Sequence, residues 1–295
     1  MSFPGQQKLQ WSRIDSVLLL LIVCLVIWFG YRIEIGLSYQ WNWSAIPQYL
    51  VRFDAEEGWV VNFLLQGLVM TIKLSIWSLL LAIPLGLIVG LLRVSSHLFN
   101  QLVGGFYVGL LRNLPPLVLI LLFYFFVSDQ ILPRFGIADI AAAAPASIQA
   151  LIVFFLTPVA QLEAFLAAVL TLALFEGAYI AEIVRAGIES VDSGQWHAAK
   201  ALGLRRWQMM RTIVLPQACR KMIPPLAGQF ISTIKDSAIV SVISIQELTF
   251  QGMELMAATY LTFEIWLTVA MLYFALTWSC SMLARILENK LRYEF

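Results

Sequence analysis

Long apolar runs, separated by shorter polar segments, recur along the chain and predict its helices. Residues 74–92 form a run of 19 uncharged residues, which as an α-helix would extend roughly 28 Å, about the thickness of a bilayer core. We expect residues 60–73 to continue this helix into the interface. The six runs long enough to span a membrane are residues 15–31, 74–92, 105–127, 162–188, 222–245 and 265–287.

Three further features of the sequence lie between these apolar runs or at the start of one of them. Residues 128–161 contain only a short apolar run with Pro145 and Pro158 at its edges, so we expect a re-entrant or interfacial helix and not a seventh span. Residues 32–58 are polar and aromatic, as is typical of a membrane–water interface. Pro224 and Pro225 mark the expected entry to the fifth run.

The composition, taken together with these apolar runs, indicates the fold class. Of the 295 residues, 60% are hydrophobic and only 13% are charged, about half the charged share of soluble domains. The alternating pattern of a membrane barrel is absent, so we expect an all-α, polytopic membrane protein of about six transmembrane helices. The formal net charge of +1 gives no reason to expect a nucleic-acid partner. The cysteines have neither metal-site nor disulfide spacing and are interpreted as small apolar side chains.

The placement of Lys and Arg predicts the orientation. If the six runs alternate across the membrane, twelve Lys and Arg residues flank the spans on one side and three flank them on the other. Cytoplasmic segments carry the excess of basic residues, so we expect both termini to be cytoplasmic. The twelve are Lys8, Arg13, Arg93, Lys200, Arg205, Arg206, Arg211, Arg220, Lys221, Arg285, Lys290 and Arg292.

The segment HAAKALGLRRWQMMRTIVLP, residues 197–216, is basic although the chain around it is apolar. Helix-forming residues surround Gly203, which predicts two short helices that meet at a bend. Ala198, Ala199 and Leu202 are expected to share one face, because they follow helical spacing. Such a face of small side chains would let another protein approach closely. A segment that only rests on anionic lipid would explain the basic residues, but it would not explain this spacing.

The spacing within this segment resembles a known motif. Ala198-Ala199, three residues, Gly203, nine residues, Ile213, one residue and Leu215-Pro216 are similar to the EAA loop of ABC importer permeases. The flanking stretches EIVRAGIESVDSGQW and PPLAGQFISTIKDSAIVSVISIQEL resemble the polar amino-acid branch of that family. The resemblance departs from the pattern at His197, where the family usually has an acid. It implies that ATPase coupling involves Gln195, His197, Ala198, Ala199, Gly203, Leu204, Ile213, Leu215 and Pro216.

The resemblance also implies an architecture and partners. It implies an N-terminal anchor helix and outer interfacial segment at residues 1–58. A type I importer permease domain would follow at residues 59–290, with its coupling loop at 190–216. The expected setting is a bacterial inner membrane, and the expected partners are membrane lipid, a cytosolic ABC ATPase dimer, a second permease subunit, the same or homologous, and an extracytoplasmic substrate-binding protein. The sequence has no G-x-x-x-x-G-K-[ST] motif, so ATP would be bound by the partner.

Ionisable residues inside the predicted spans are candidates for the translocation path, because burying a charge in a bilayer is costly. Lys235 and Asp236 interrupt the fifth run, where Ser237 adds a hydroxyl group, and Glu176 lies near the middle of the fourth. They either line a polar path for the solute or form structural pairs, with Lys235 as a candidate partner of Glu176. Other charged residues near the span ends have simpler expectations: Lys73 and Arg112 reach the interface, and Glu182 pairs with Arg185.

The sequence gives no indication of catalysis. The two histidines, His97 and His197, lie on separate polar segments, and no metal-ligand or catalytic spacing is present, so we expect no enzymatic activity, metal or cofactor in this chain. We therefore predict a permease subunit of an amino-acid importer that a separate ATPase drives. The alternative is an ion-gradient-driven secondary transporter of small polar solutes, which predicts an internal repeat of broken spans. No second copy of IKDSAIVSV is present.

Overall fold

The computed structural model describes residues 13–36, 39–56 and 58–293. The chain divides into two units, residues 1–42 and 43–295, which are described separately. In the first unit, helix α1 (Arg13–Gly36, 24 residues) contains the predicted first span. The predicted N-terminal region 1–58 includes residues 1–12, 37, 38 and 57, which lie outside the described residues, as does Lys8. The side chains of Lys290 and Arg292 are likewise outside the described part.

The second unit is helical, as predicted. Within the described residues, five segments are long and apolar enough to cross a membrane: Phe63–Arg93, Pro116–Phe135, Val159–Glu189, Arg206–Ile243 and Thr262–Ile286. Each of them overlaps one of the predicted runs from the second to the sixth, and α1 contains the first. The helices of this unit are α2 (Ile46–Leu50), α3 (Phe63–Arg93), α4 (Leu98–Asn113), α5 (Pro116–Phe126), α6 (Ile137–Ala142), α7 (Ala146–Phe155), α8 (Leu162–Glu189), α9 (Ser193–Ala201), α10 (Arg206–Met209), α11 (Leu215–Asp236), α12 (Leu248–Thr259) and α13 (Thr262–Tyr293).

A small hairpin departs from the all-helical expectation. Strands β1 (Val51–Asp54) and β2 (Gly58–Val61) pair antiparallel, with Phe53 opposite Trp59. Val60, which we expected in the helix of the second run, therefore lies in β2. The rings of Phe53 and Trp59 meet edge to face at 5.6 Å, and both are exposed. An exposed aromatic pair directly before the apolar helix α3 fits the interfacial character predicted for the preceding residues.

The predicted third span is two helices and not one, so this prediction was wrong. Helix α4 ends at Asn113, Leu114 is extended (φ −97°, ψ 149°), and α5 begins at Pro116. The cause is local, because a residue that precedes proline is disfavoured in the helical region and Pro115 cannot donate a backbone hydrogen bond. After Phe126 the chain continues through a π-turn and a 3₁₀ turn to Phe135. The start of the ambiguous stretch 128–161 therefore belongs to a candidate span.

The rest of that stretch forms short helices, as predicted. Helix α7 has 10 residues, about 15 Å, which is too short to cross a bilayer core. Its last turn is held by α3, since Lys73 Nζ donates to the Val153 carbonyl oxygen at 2.9 Å and Trp77 Nε1 donates to that of Phe155 at 3.0 Å. Unpaired carbonyls at a helix end attract a cation, which accounts for this contact of Lys73. The interface position expected for Lys73 stays a prediction.

The predicted fifth span begins earlier than residue 222. The helical path runs without a break from Arg206 to Ile243, with a π-helical turn at Met210–Val214 and a 3₁₀ segment at Ser237–Ile243. Pro224 and Pro225 lie inside α11, and Pro216 lies in its first turn. The basic segment therefore continues without a break into the span that follows it.

Close packing of α3 against α8 forms the centre of the unit. Gly86 and Gly90 lie one turn apart on α3, where a Cβ atom would come within 2.5 Å of Ile180 and 2.6 Å of Val184, both on α8. Small residues at such positions let two membrane helices approach closely. Helix α8 is the most buried of the five candidate spans. The helices α4, α5 and α11 also pack against it, so α8 is the element that the functional residues share.

Candidate coupling site and polar interior

The basic segment begins with a capped helix. The Asp192 carboxylate accepts a hydrogen bond from the Gly194 N–H at 2.6 Å, which satisfies one of the free donors at the start of α9. At its other end, the Gly203 N–H donates to the Lys200 carbonyl at 2.9 Å and the Leu204 N–H donates to that of Ala199 at 3.2 Å. These two bonds form a Schellman motif, which places its glycine in the left-handed region. Gly203 has φ +75°, so the predicted bend is confirmed.

One hydrogen bond caps the segment internally, and two more hold this region to the ends of the spans. The Arg205 N–H donates to Gln208 Oε1 at 2.8 Å, which caps α10. Arg206 donates to the Val94 carbonyl oxygen at 2.6 Å, just beyond the end of α3, and Lys221 donates to that of Ser190 at 2.5 Å, just beyond α8. The contact is also apolar, because Met209 and Met210 are buried. The segment is thus packed against the ends of α3 and α8 and continues into α11.

The two sides of α9 differ. Ala198 and Leu202 are exposed, and Leu202 keeps 77% of its surface accessible. Ala199 is buried, so the expectation that all three would share one exposed face was wrong: adjacent helical residues point about 100° apart. Trp207 on α10 is also exposed, at 67%. Leu202 and Trp207 are thus two large apolar side chains that remain accessible on an otherwise charged segment.

The other predicted coupling residues surround this surface. Gln195, His197 and Pro216 are exposed, and Leu204, Ile213 and Leu215 are half-buried. His197 and Trp196 lie on the side of α9 that faces the ends of the spans, where they line a cavity of about 560 Å³. The segment therefore has an outward side with Ala198 and Leu202 and an inward side with His197.

A cluster of charges joins α3, α4 and α8 near this segment. The Glu182 carboxylate pairs with Arg93 and with Arg185, and Arg112 lies 3.6 Å from it. Arg185 also pairs with Glu189. The predicted pairing of Glu182 with Arg185 is confirmed. The Arg112 guanidinium lies over the Tyr179 ring at 5.3 Å and beside Glu182, and its expected interface position stays a prediction.

A second polar group lies deeper, between α8 and α11. Glu176 is fully buried, and its Oε2 accepts a hydrogen bond from Gln229 Nε2 at 2.6 Å. Its Oε1 has no hydrogen-bond partner among the described residues. Asp236 is half-buried, and Ser237 is buried and donates to the Ile234 carbonyl oxygen at 2.8 Å.

The proposed pairing of Glu176 with Lys235 was wrong. Lys235 is exposed, and no ion pair joins it to Glu176 within the described chain. The partner of Glu176 is Gln229, which the sequence reasoning missed. A signal was available, because Gln229, Thr233 and Asp236 are spaced by four and three residues and so form one polar stripe on α11.

Glu247 was also missed. It is fully buried and caps α12 by accepting hydrogen bonds from the N–H groups of Thr249 and Phe250, at 2.9 and 2.8 Å. Tyr273 Oη donates to it at 2.7 Å and Thr71 Oγ1 at 3.3 Å. Burial raises the pKa of the Glu247 carboxyl, and these hydrogen bonds oppose that shift. Glu247 thus joins α12 to α3 and α13, a structural role.

Known proteins share both the sequence and the fold. The family described as "binding-protein-dependent transport system inner membrane component" matches residues 82–293. The glutamine transport system permease protein GlnP of Escherichia coli (strain K12) is 33% identical over 258 residues, covering 86% of this chain and 99% of the relative. The probable glutamine ABC transporter permease protein GlnP of Bacillus subtilis (strain 168) is 36% identical over 230 residues, covering 77% and 92%. A crystal structure of an amino acid ABC transporter with histidines superposes with a TM-score of 0.65 at 30% identity, covering 85% of this chain and all of that one.

Proposed function

Since the chain belongs to the family of binding-protein-dependent transport system inner membrane components, we propose how its geometry serves transport. The chain is a membrane permease subunit of an ATP-driven amino-acid importer. It contributes to the translocation path and receives the motion of a separate ATPase. Its own role is binding and movement, and the chemistry of ATP hydrolysis belongs to the partner.

The observation that supports this proposal most strongly is the continuity of the basic segment with a span. The helical path from Arg206 to Ile243 starts in the coupling segment and ends beyond the polar stripe of α11. Because this path is continuous, a force that α10 receives would move the part of α11 that carries Asp236. The exposed Leu202 and Trp207 provide the contact that receives the force. The outward side of α9 is therefore the docking surface for the ATPase.

The partners follow from this division of work. Two ATPase subunits would dock on two permease subunits, the second one identical or homologous to this chain, and would bind the ATP. The side that carries twelve of the Lys and Arg residues would face the cytoplasm of a bacterial cell, with both termini there. A substrate-binding protein would deliver the solute on the opposite side, above the hairpin and α7.

The polar stripe between α8 and α11 would form part of the path. The buried carboxylate of Glu176 has one oxygen without a hydrogen bond to any described residue. Asp236 ends α11 and Ser237 begins the 3₁₀ segment that follows it. Carboxylates at this depth suit the ammonium group that every amino acid carries. Lys235 would serve the solute carboxylate where the path opens, since its side chain is exposed. Polar amino acids are the substrate class, in keeping with the glutamine named for two relatives.

The test is uptake of labelled glutamine and arginine into proteoliposomes that contain the chain with its ATPase and binding protein. We expect uptake that requires ATP and survives an uncoupler. Leu202→Asp should reduce ATP-driven uptake at least tenfold, because it places a charge on the docking surface, whereas Arg211→Gln, an exposed residue of the same segment, should reduce it less than twofold. Uptake without ATP that collapses with the uncoupler would instead establish a secondary transporter.

A further inference from the structure

The inward side of α9 faces a cavity that the coupling role does not use. The cavity measures about 560 Å³ and lies between α9, α10 and the ends of α3 and α8, a volume typical of small-molecule sites. Four of the residues that line it are basic, namely Arg93, His197, Lys200 and Arg206, and one, Glu189, is acidic. We propose that this cavity is a binding site for a phosphate ester anion.

The charge balance supports an anion. Glu189 is already paired with Arg185, so it adds little negative charge to the cavity. Lys200 and His197 are exposed, and their side chains have no hydrogen bond or ion pair with any described residue. Arg206 uses one guanidinium nitrogen on the Val94 carbonyl and keeps its other donors free. Arg93 is likewise already paired, with Glu182. Lys200, Arg206 and the His197 imidazole therefore remain to face one space in which the single acid is neutralised.

The apolar residues of the cavity indicate which kind of phosphate-bearing ligand fits it. Trp196, Ile188 and Met209 line the same cavity as the basic residues. Arg93 is the last residue of α3 and Ile188 lies one residue before the end of α8, so the cavity sits where these helices leave the apolar layer. A tryptophan next to basic side chains at this level suits a lipid headgroup, whose phosphate meets the cations while its glycerol meets the apolar wall. A free phosphate would use the basic residues alone.

The consequence concerns coupling and rests on the proposed function. A phosphate that bridges Lys200 on α9 to Arg206 on α10 would brace both helices against the ends of α3 and α8. The more rigid segment would then transmit a larger part of the ATPase movement to the spans. The activity of the transporter would then depend on the phosphate content of the adjacent leaflet or of the cytosol.

The test measures binding by the purified full-length chain, without ATPase or solute. Native mass spectrometry after exchange into mixed phosphatidylglycerol and phosphatidylcholine should show phosphatidylglycerol retained preferentially. His197→Glu, which adds a negative charge, and Lys200→Gln, which removes a positive one, should each lower that retention about fivefold or more. Arg211→Gln removes a charge from the same segment outside the cavity, and its retention should match the wild type. All three residues are exposed, so folding, checked by gel filtration, should be unaffected.

Titration with inorganic phosphate distinguishes a lipid headgroup from soluble phosphate as the source of the bound group. A thermal shift with phosphate that His197→Glu abolishes, without phosphatidylglycerol retention, would assign the site to soluble phosphate. Equal retention and equal phosphate response in the wild type, His197→Glu and Lys200→Gln would overturn the proposal. So would an equal loss in Arg211→Gln, since that would indicate general attraction of a basic surface. Because no transport is measured, this result is independent of the uptake experiment above.

Discussion

Gln229 on α11 donates a hydrogen bond from Nε2 to Oε2 of Glu176 on α8, at 2.6 Å. The bond joins the most buried span to the span that continues from the coupling segment. Movement of α11 relative to α8 must lengthen, shorten or break this bond. The Glu176 carboxylate is therefore placed where the motion that couples to ATP would change the polarity that a solute meets.

Glu176→Gln and Gln229→Leu should separate the two roles of this pair. Glu176→Gln keeps the size and one acceptor but removes the charge, so we expect a folded protein whose KM for amino-acid uptake rises about tenfold. Gln229→Leu leaves both carboxylate oxygens without a donor and should lower stability by about 1–3 kcal/mol. Uptake kinetics and thermal unfolding in detergent measure these effects.

Gln217→Leu is the matched control, because Gln217 on the same helix donates to the Ile213 carbonyl one turn earlier and to no other described residue. Its loss should change stability by less than about 0.5 kcal/mol. Unchanged uptake and stability in both test variants would place the Glu176 pair outside the path and outside the packing that holds α8 to α11.

The contact of α3 with α8 predicts an effect of single methyl groups. Gly90→Ala would place a Cβ 2.6 Å from Val184, and such overpacking costs about 1–3 kcal/mol. Gly105→Ala on α4 meets nothing within 4 Å and should be neutral or stabilising, because alanine favours a helix over glycine. Melting temperatures of the two variants should move in opposite directions or differ by several degrees. Equal values would mean that α3 and α8 can separate without loss.

The sequence predicted the membrane-spanning helices better than the contact partners of single side chains, and the reason is physical. Apolar runs follow from the bilayer itself, so the spans near residues 74–92, 162–188 and 265–287 agree with α3, α8 and α13. The split of the third span depends on Pro115, and prolines within an apolar run are compatible with both a kink and a break. The partners of Lys73 and Glu176 lie 80 and 53 residues away along the chain. Spacing along one helix cannot indicate such contacts.

The docking of α7 predicts a local change in exchange. Lys73→Met removes the cation from the end of α7, and Trp77→Phe removes one N–H donor while keeping an aromatic ring. We expect faster hydrogen exchange in residues 146–155 for both, with the larger effect for Lys73→Met, because an exposed helix of this length is marginal without tertiary contacts. Exchange in α8 should not change. Protection equal to the wild type would show that another contact holds α7.

Gly203 allows a specific test of the coupling segment, because its backbone conformation restricts which residues fit there whereas the space around it does not. Its φ of +75° excludes proline and strains any β-branched residue, but a Cβ there would meet nothing within 4 Å. Gly203→Asn should therefore keep transport near the wild-type rate, since asparagine tolerates the left-handed region. Gly203→Val should cost about 1–2 kcal/mol of local stability.

In Gly203→Val this cost falls on the bend between α9 and α10 and not on the spans. Membrane insertion and global melting should stay near wild type, while uptake per ATP hydrolysed should fall severalfold in proteoliposomes. The reason is geometric, because Leu202 and Trp207 lie on either side of the bend and must meet the ATPase together. If the valine variant transports with wild-type stoichiometry, the bend is a passive connection and the force must enter through α9 alone.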